Sequence, residues 1–249
     1  MTEPAGSPVL GIVGGMGPLA SNEFLRTIYR LNLAEPEQGS PRCLLDSDPT
    51  FPDRTTMIRE GKVEQLAKRL EATVENLVTA GAAKIVIACV TVHCALPLVP
   101  EPLRRRVVSL LDLVIDELLT ADDVPYLLLA TSGTRQARIF ESHQRWSEVA
   151  DRVVFPGEQD QERLHTWLYQ LKAGDSGAAC REWLASLPER YHAAGLVFGC
   201  TELHLLRNAF ERDDKGPRII DPLWTAARDL PALLERSATI PTSRTAGYS

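Results

Sequence analysis

Two short segments of the 249-residue chain carry a cysteine in the same local setting. IVIACVTVH (85–93) and LVFGCTELH (196–204) each run from an apolar strand into a cysteine, with a histidine four residues on. The cysteines are Cys89 and Cys200. A thiolate is an effective base, and its pKa responds to nearby cations and helix N-termini. Two thiols on opposite sides of one carbon suit one class of reaction, the inversion of a centre that bears hydrogen. One group removes the proton from one face, and its partner delivers a proton to the other. The carbanion-like intermediate needs donors aimed at the neighbouring carboxylate. The turns after the cysteines offer N–H groups and hydroxyls at Val90, Thr91, Val92 and Thr201, and the turn Thr131-Ser132-Gly133-Thr134 offers more. Both cysteines are expected at strand-to-helix junctions, where helix dipoles favour thiolate.

The other cysteines, Cys43, Cys94 and Cys180, read as small buried hydrophobes. Five cysteines with no CxxC pair argue against a disulfide framework, a zinc site and a thiol-redox centre. No metal or cofactor is expected. His93 and His204 read as residues that hydrogen-bond locally at a helix start rather than as activators of a thiol. Glu202 reads as a residue that orients the turn; a catalytic part would require it to be buried.

The surrounding elements alternate in type. Apolar strands are expected near 8–15, 43–48, 83–90, 124–130, 152–155 and 193–199. Helices are expected over 17–32, 57–80, 103–120, 134–145, 159–173, 176–187 and 222–236, with a loose polar tail from 237. Short buried strands separated by helices imply α/β architecture with mostly parallel sheets covered on both faces. Ligands in such sheets sit at the carboxyl ends of the strands, where both cysteines fall. A second echo, GIVGGMGP (11–18) against LLLATSGT (127–134), points to two pseudosymmetric α/β domains with the active site in the cleft between them. The expected division is 1–104, with a C-terminal helix from 220–249 packing back on it, and 105–219.

Composition narrows the partners. The net charge is -6 and no Lys/Arg block stands out, so nucleic acid is not an expected partner. No apolar run reaches membrane-spanning length, and the opening MTEPAGSPVL lacks the pattern of a signal peptide. A cytoplasmic protein without a membrane partner is expected.

Taken in order, these motifs resemble the aspartate/glutamate racemase superfamily, and within it the aspartate racemase branch. The resemblance rests on GIVGGMGPLAS (11–21), SDPTFPDRT (47–55), IACVTVH (87–93), LLLATSGT (127–134), LYQLKAG (168–174) and VFGCTELHLL (197–206). It implies racemisation of an acidic amino acid, aspartate first and glutamate next, without pyridoxal phosphate. It implies that Cys89 and Cys200 are the two bases, that Arg54 and Lys172 hold substrate carboxylates, and that the protein is a homodimer. A planar guanidinium fork and a lysine point charge match the two carboxylates of such a substrate. One position departs from the pattern: Val90 stands where the family usually has asparagine. Within the superfamily the alternatives are a maleate-type isomerase, a malonate decarboxylase and a non-catalytic binder of acidic amino acids.

Overall fold

The computed structural model describes residues 8–212 and 216–235, so the expected tail from 237 lies outside the described residues. Strands β1 (Val9–Gly14), β2 (Cys43–Ser47), β3 (Ala82–Ile87) and β4 (Val107–Val108) form one parallel sheet in the order β2-β1-β3-β4. Strands β5 (Tyr126–Leu129), β6 (Val153–Val154), β7 (Gly195–Phe198) and β8 (Arg218–Ile220) form a second in the order β6-β5-β7-β8. The orders are the same, so β3 and β7, which lead into Cys89 and Cys200, hold equivalent places. The division expected after 104 falls short of β4, which pairs with β3 and carries the first half to at least Val108.

Helix α1 (Pro18–Asn32) joins β1 to β2, and α2 (Arg54–Arg59) and α3 (Val63–Thr79) lead to β3. Helices α4 (Glu101–Arg104) and α5 (Leu110–Thr120) flank β4. In the second half α6 (Ser132–Gln136) follows β5, α7 (Glu158–Lys172) and α8 (Ala178–Arg190) precede β7, and α9 (Arg207–Glu211) precedes β8. Helices α10 (Pro222–Arg228) and α11 (Leu230–Glu235) close the described chain.

Four of the expected helices are shorter or divided, each at a definable point. The stretch 57–80 divides at Gly61, whose φ of 69° suits glycine and ends α2. In 103–120, Val107 and Val108 leave the helical pattern to pair with β3. In 134–145 only the first turn is helical, and Arg138 adopts a φ of 48°. The stretch 222–236 divides at Asp229.

The central strands bury both faces. Leu10, Ile12, Val86 and Ala88 from the first sheet meet Tyr126, Leu128, Ala130 and Val197 from the second in one central core, filled by Phe24 and Ile28 of α1, by α5 and by α10. The opposite face of the first sheet (Val13, Ile85, Ile87) packs on Leu70, Val74 and Leu77 of α3. The opposite face of the second (Leu127, Leu129, Leu196, Phe198) packs on Leu164, Leu168, Trp183 and Leu184 of α7 and α8. Each of these large side chains contributes about 1.5–3 kcal/mol by leaving water. Because the central layer is shared, neither sheet keeps its inner face dry alone.

Polar bonds also join the halves along α1. Thr27 Oγ1 lies 3.0 Å from His204 Nε2, and Asn208 Nδ2 donates to Glu23 at 2.8 Å. Arg30 reaches Asn208 and Glu211, and Asn32 Nδ2 ties the C-terminal α10 to α1 through the Ala227 carbonyl at 2.8 Å. Among the described residues no helix is long and apolar enough to cross a membrane.

Candidate active site

The carboxyl ends of the two sheets face one narrow, nearly closed cavity with a free volume of about 10 Å³. It is lined by Cys89, Val90, Thr91, Arg54, Thr131, Lys172, Cys200 and Thr201 from the sequence expectation, and by Met16, Asp53, Thr55 and Glu202 besides. Val92, Ser132 and Gly133 do not line it. Val92 turns into the core against α3. Gly133 packs on α2, where a Cβ would come within 2.8 Å of Thr55 Cα.

Neither cysteine opens an α-helix, contrary to the expectation. Each is followed by 3-10 turns, Thr91–Leu98 after Cys89 and Thr201–Leu206 after Cys200. The thiols therefore take their electrostatics from side chains rather than from a long helix dipole. Each turn is tied to the opposite half. Thr91 Oγ1 lies 3.1 Å from Thr131 Oγ1 and 2.9 Å from Thr134 Oγ1, and Thr201 Oγ1 donates to the Ala88 carbonyl at 3.0 Å.

Arg54 is the first residue of α2, capped by Asp53, whose carboxylate accepts from Thr56 N at 2.8 Å. The guanidinium is buried, with 8% exposure. It donates to the Pro52 carbonyl at 3.0 Å and to the Met16 carbonyl, leaving buried Nε without a partner. Burial opposes its charge, but Cys89, Asp53 and Glu202 outweigh that and raise its pKa. The Met16 carbonyl reaches it because Gly15 turns with φ 84°, where a Cβ would overlap the backbone of Asp48.

Lys172 ends α7 with Nζ 4.6 Å from the Tyr169 ring centroid and 3.9 Å from Glu202 Oε1. Burial lowers its pKa, but Glu202 and Cys200 raise it further, so it stays charged. Tyr169 OH donates to Asp53 at 2.8 Å and joins α7 to α2 at the rim. Glu202 is 3% exposed and accepts the Cys200 S–H at Oε2, 2.8 Å away. Burial, then the Glu202 charge, push the Cys200 thiol well above its ordinary range, with Lys172 opposing.

The histidines divide. His93 bonds locally as expected: Nδ1–H donates to the Cys89 carbonyl at 2.9 Å, while Nε2 accepts from Leu110 N–H at 3.4 Å. His204 does not. Its Nδ1 meets Asp221 at 2.6 Å, and its Nε2 meets Thr27 in the other half. Cys94 stays outside the cavity, packed on Met57, Leu66, Ala67 and Ala95. Glu202 was in sequence only a turn residue awaiting evidence of burial; Met16, Asp53 and Thr55 were not anticipated. Asp53 did leave a signal, an aspartate three residues before Thr56 at a helix start.

Chemically, the cavity presents two thiols from equivalent turns, two cations and a cluster of hydroxyls, with two carboxylates behind them. A family model described as Asp/Glu/Hydantoin racemase matches residues 13–230. Among solved structures, the aspartate racemase of Picrophilus torridus is similar over 93% of this chain and 94% of its own, with 24% identity and a TM-score of 0.75. An aspartate racemase homologue from Pyrococcus horikoshii OT3 is similar over 91% and 98%, with 24% identity and a TM-score of 0.66. The glutamate racemase of Francisella tularensis, solved with D-glutamate, is similar over 98% and 86%, with 14% identity and a TM-score of 0.61. These structural likenesses speak for the fold, and the family match covers most of the sequence. The chain belongs to the Asp/Glu/hydantoin racemase family.

Proposed function

We propose that this protein is a racemase of an acidic amino acid, aspartate first and glutamate next, that works without pyridoxal phosphate through Cys89 and Cys200. One observation carries the reading: thiols from equivalent turns of two like sheets line the same small cavity as Arg54 and Lys172. Racemase relatives of the same fold, among them an aspartate racemase and a glutamate racemase solved with D-glutamate, support the substrate class.

In one direction Cys89, as thiolate, takes the α-proton, and the C–H electron pair moves into the carboxylate-conjugated carbanion. Cys200 gives its S–H proton to the opposite face. The reading gives Arg54, whose buried Nε has no hydrogen-bond partner, one substrate carboxylate together with the Val90 and Thr91 turn, and gives Lys172 the other. Because these donors are fixed by the Met16 and Pro52 carbonyls and by Tyr169, they need little reorganisation as charge develops. The same reading takes the protein as a cytoplasmic homodimer.

L-Aspartate and L-glutamate incubated separately in D2O test it, with circular dichroism for inversion and mass spectrometry for α-hydrogen exchange. Inversion with solvent deuterium in the product is expected, and Cys89→Ala and Cys200→Ala should each abolish it. Full inversion by either variant refutes the two-thiol mechanism. Turnover of maleate or a malonate in place of the amino acids moves the protein to another reaction.

A further inference from the structure

The fold relates the two thiols, but their surroundings differ. Cys89 lies by Arg54, a buried cation with one unpartnered N–H. Cys200 lies by Glu202, a buried anion that accepts its S–H at 2.8 Å. We propose that Glu202 is a positioning residue for the reaction, a carboxylate that holds the Cys200 proton at rest and thereby sets Cys89 as the base in the free enzyme. This rests on the two-thiol reading above.

The placement of Glu202 looks built for that contact. The residue is 3% exposed, so water does not compete for Oε2. Its Oε1 is buried without a hydrogen bond and lies over Gly17 in the turn between β1 and α1, where a Cβ would overlap it. The groups that face Glu202 are Cys200 from its own turn, Lys172 from α7, Arg54 from α2 and the Gly17 backbone. Lys172, 3.9 Å from Oε1, makes a buried carboxylate tolerable without taking the thiol's place at Oε2.

The proton balance gives the carboxylate its consequence. In one turnover Cys89 gains the proton from carbon, and Cys200 loses its own to carbon while sulfur keeps the electron pair. The enzyme's proton count is unchanged, but the thiolate now faces a carboxylate instead of a guanidinium. That state lies uphill. It relaxes either by turning over the opposite enantiomer or by exchanging protons with solvent. Free enzyme is therefore held mainly in the form that accepts one enantiomer. Enantiomers have equal energy, so kcat/KM must be equal in the two directions. The bias shows instead in thiol reactivity and in kcat and KM taken separately.

Iodoacetamide labelling over a pH series, read peptide by peptide, tests this in the substrate-free protein. Cys89 should label first, and Cys200 should stay protected at pH 7.5. In the isosteric Glu202→Gln variant, Cys200 should label about tenfold faster or more, equivalent to a fall of at least one pKa unit, with Cys89 unchanged. An unchanged Cys200 profile overturns the proposal, as does an equal rise at both cysteines, which would mean a loosened cleft. Should the Gln variant fail to fold, Lys172→Met supplies the opposite perturbation. It leaves Glu202 unopposed, so Cys200 labelling should slow by about threefold or more, a shift of half a pKa unit. An unchanged rate there also overturns the proposal. Labelling does not require turnover. A shifted Cys200 profile in a protein that exchanges no α-hydrogen would retain the Glu202–Cys200 pairing and discard the racemase reading.

Discussion

Replacing His93 by asparagine should flatten the acid side of the stability profile. His93 is buried, and its two bonds require the neutral ring: Nδ1–H donates to the Cys89 carbonyl and bare Nε2 accepts from Leu110 N–H. A proton on Nε2 would face that N–H, and burial, the largest cause, already penalises the charge. Together with the opposing pull of the Cys89 carbonyl, this lowers the ring from its ordinary 6.5 to about 4. Between those values the unfolded chain binds a proton that the folded chain refuses. Unfolding is favoured as pH falls through this window, and stability recovers as pH rises to 6.5. The full effect is roughly 3 kcal/mol, of which about 2.5 is lost between pH 7.5 and 4.5. His93→Asn keeps a donor for the Cys89 carbonyl and leaves Leu110 N–H unpaired. It should cost about 1–2 kcal/mol at pH 7.5. At pH 4.5 that cost should vanish or reverse, because the wild type alone carries the titration. Urea unfolding of both proteins at half-unit steps from pH 4.5 to 7.5 reads this directly. Parallel profiles for wild type and variant would refute the reasoning, since the remaining titrating groups are common to both.

Two further outcomes follow from contacts between the halves. Asp221→Ala removes the acceptor of the His204 Nδ1 bond and of the α10 N-terminal bond from Leu223, both buried, and of the part-buried bond from Trp224. It should cost about 3–5 kcal/mol in urea unfolding at pH 7, while Asp221→Asn, which keeps the cap oxygen, should cost about 1–2. Burial raises the Asp221 pKa but His204 and Arg207 bring it below the ordinary value, so this stabilisation should persist above about pH 4 and fade only in stronger acid. Tyr169→Phe removes a bond at the rim, where Tyr169 is 38% exposed, and should change stability by less than about 1 kcal/mol. Hydrogen exchange over residues 53–59 should nonetheless quicken, and unchanged exchange would show that the rim contact restrains nothing.

The central strands β1, β3, β5 and β7 were legible because they are largely buried on both faces and read as continuous apolar runs. By contrast β8, a three-residue edge strand that begins on exposed Arg218, leaves no such run and was missed. The duplication was legible because the two cysteine segments echo each other. Helix limits were less so. Val107 and Val108 sit inside a helical apolar pattern, and only pairing with β3, a contact distant in sequence from that window, decides for strand. The candidate site followed the same division. Arg54, Lys172 and the cysteines came from ordered motifs. Val92 and Gly133, neighbours of residues that do line the cavity, face the core and α2, because a turn's side chains point in directions that sequence spacing does not set. His204 was misread for the same reason, since its partners Thr27 and Asp221 come from remote parts of the chain.

The uneven stitching between the halves has a mechanical consequence. Along α1 they are joined by the buried Thr27–His204–Asp221 chain, by the Glu23 and Arg30 bonds and by the shared core. On the cleft side the bonds are the exposed Tyr169–Asp53 contact and the buried Thr91–Thr131, Thr91–Thr134 and Thr201–Ala88 bonds. A rotation about the α1 edge would therefore have to break those four cleft-side bonds, three of them buried, before the α2 and α7 edges could part. Such a rotation would withdraw Arg54 from Lys172 and widen the cavity they line. Closing it returns Arg54 and Lys172 to the same cavity as the two thiols.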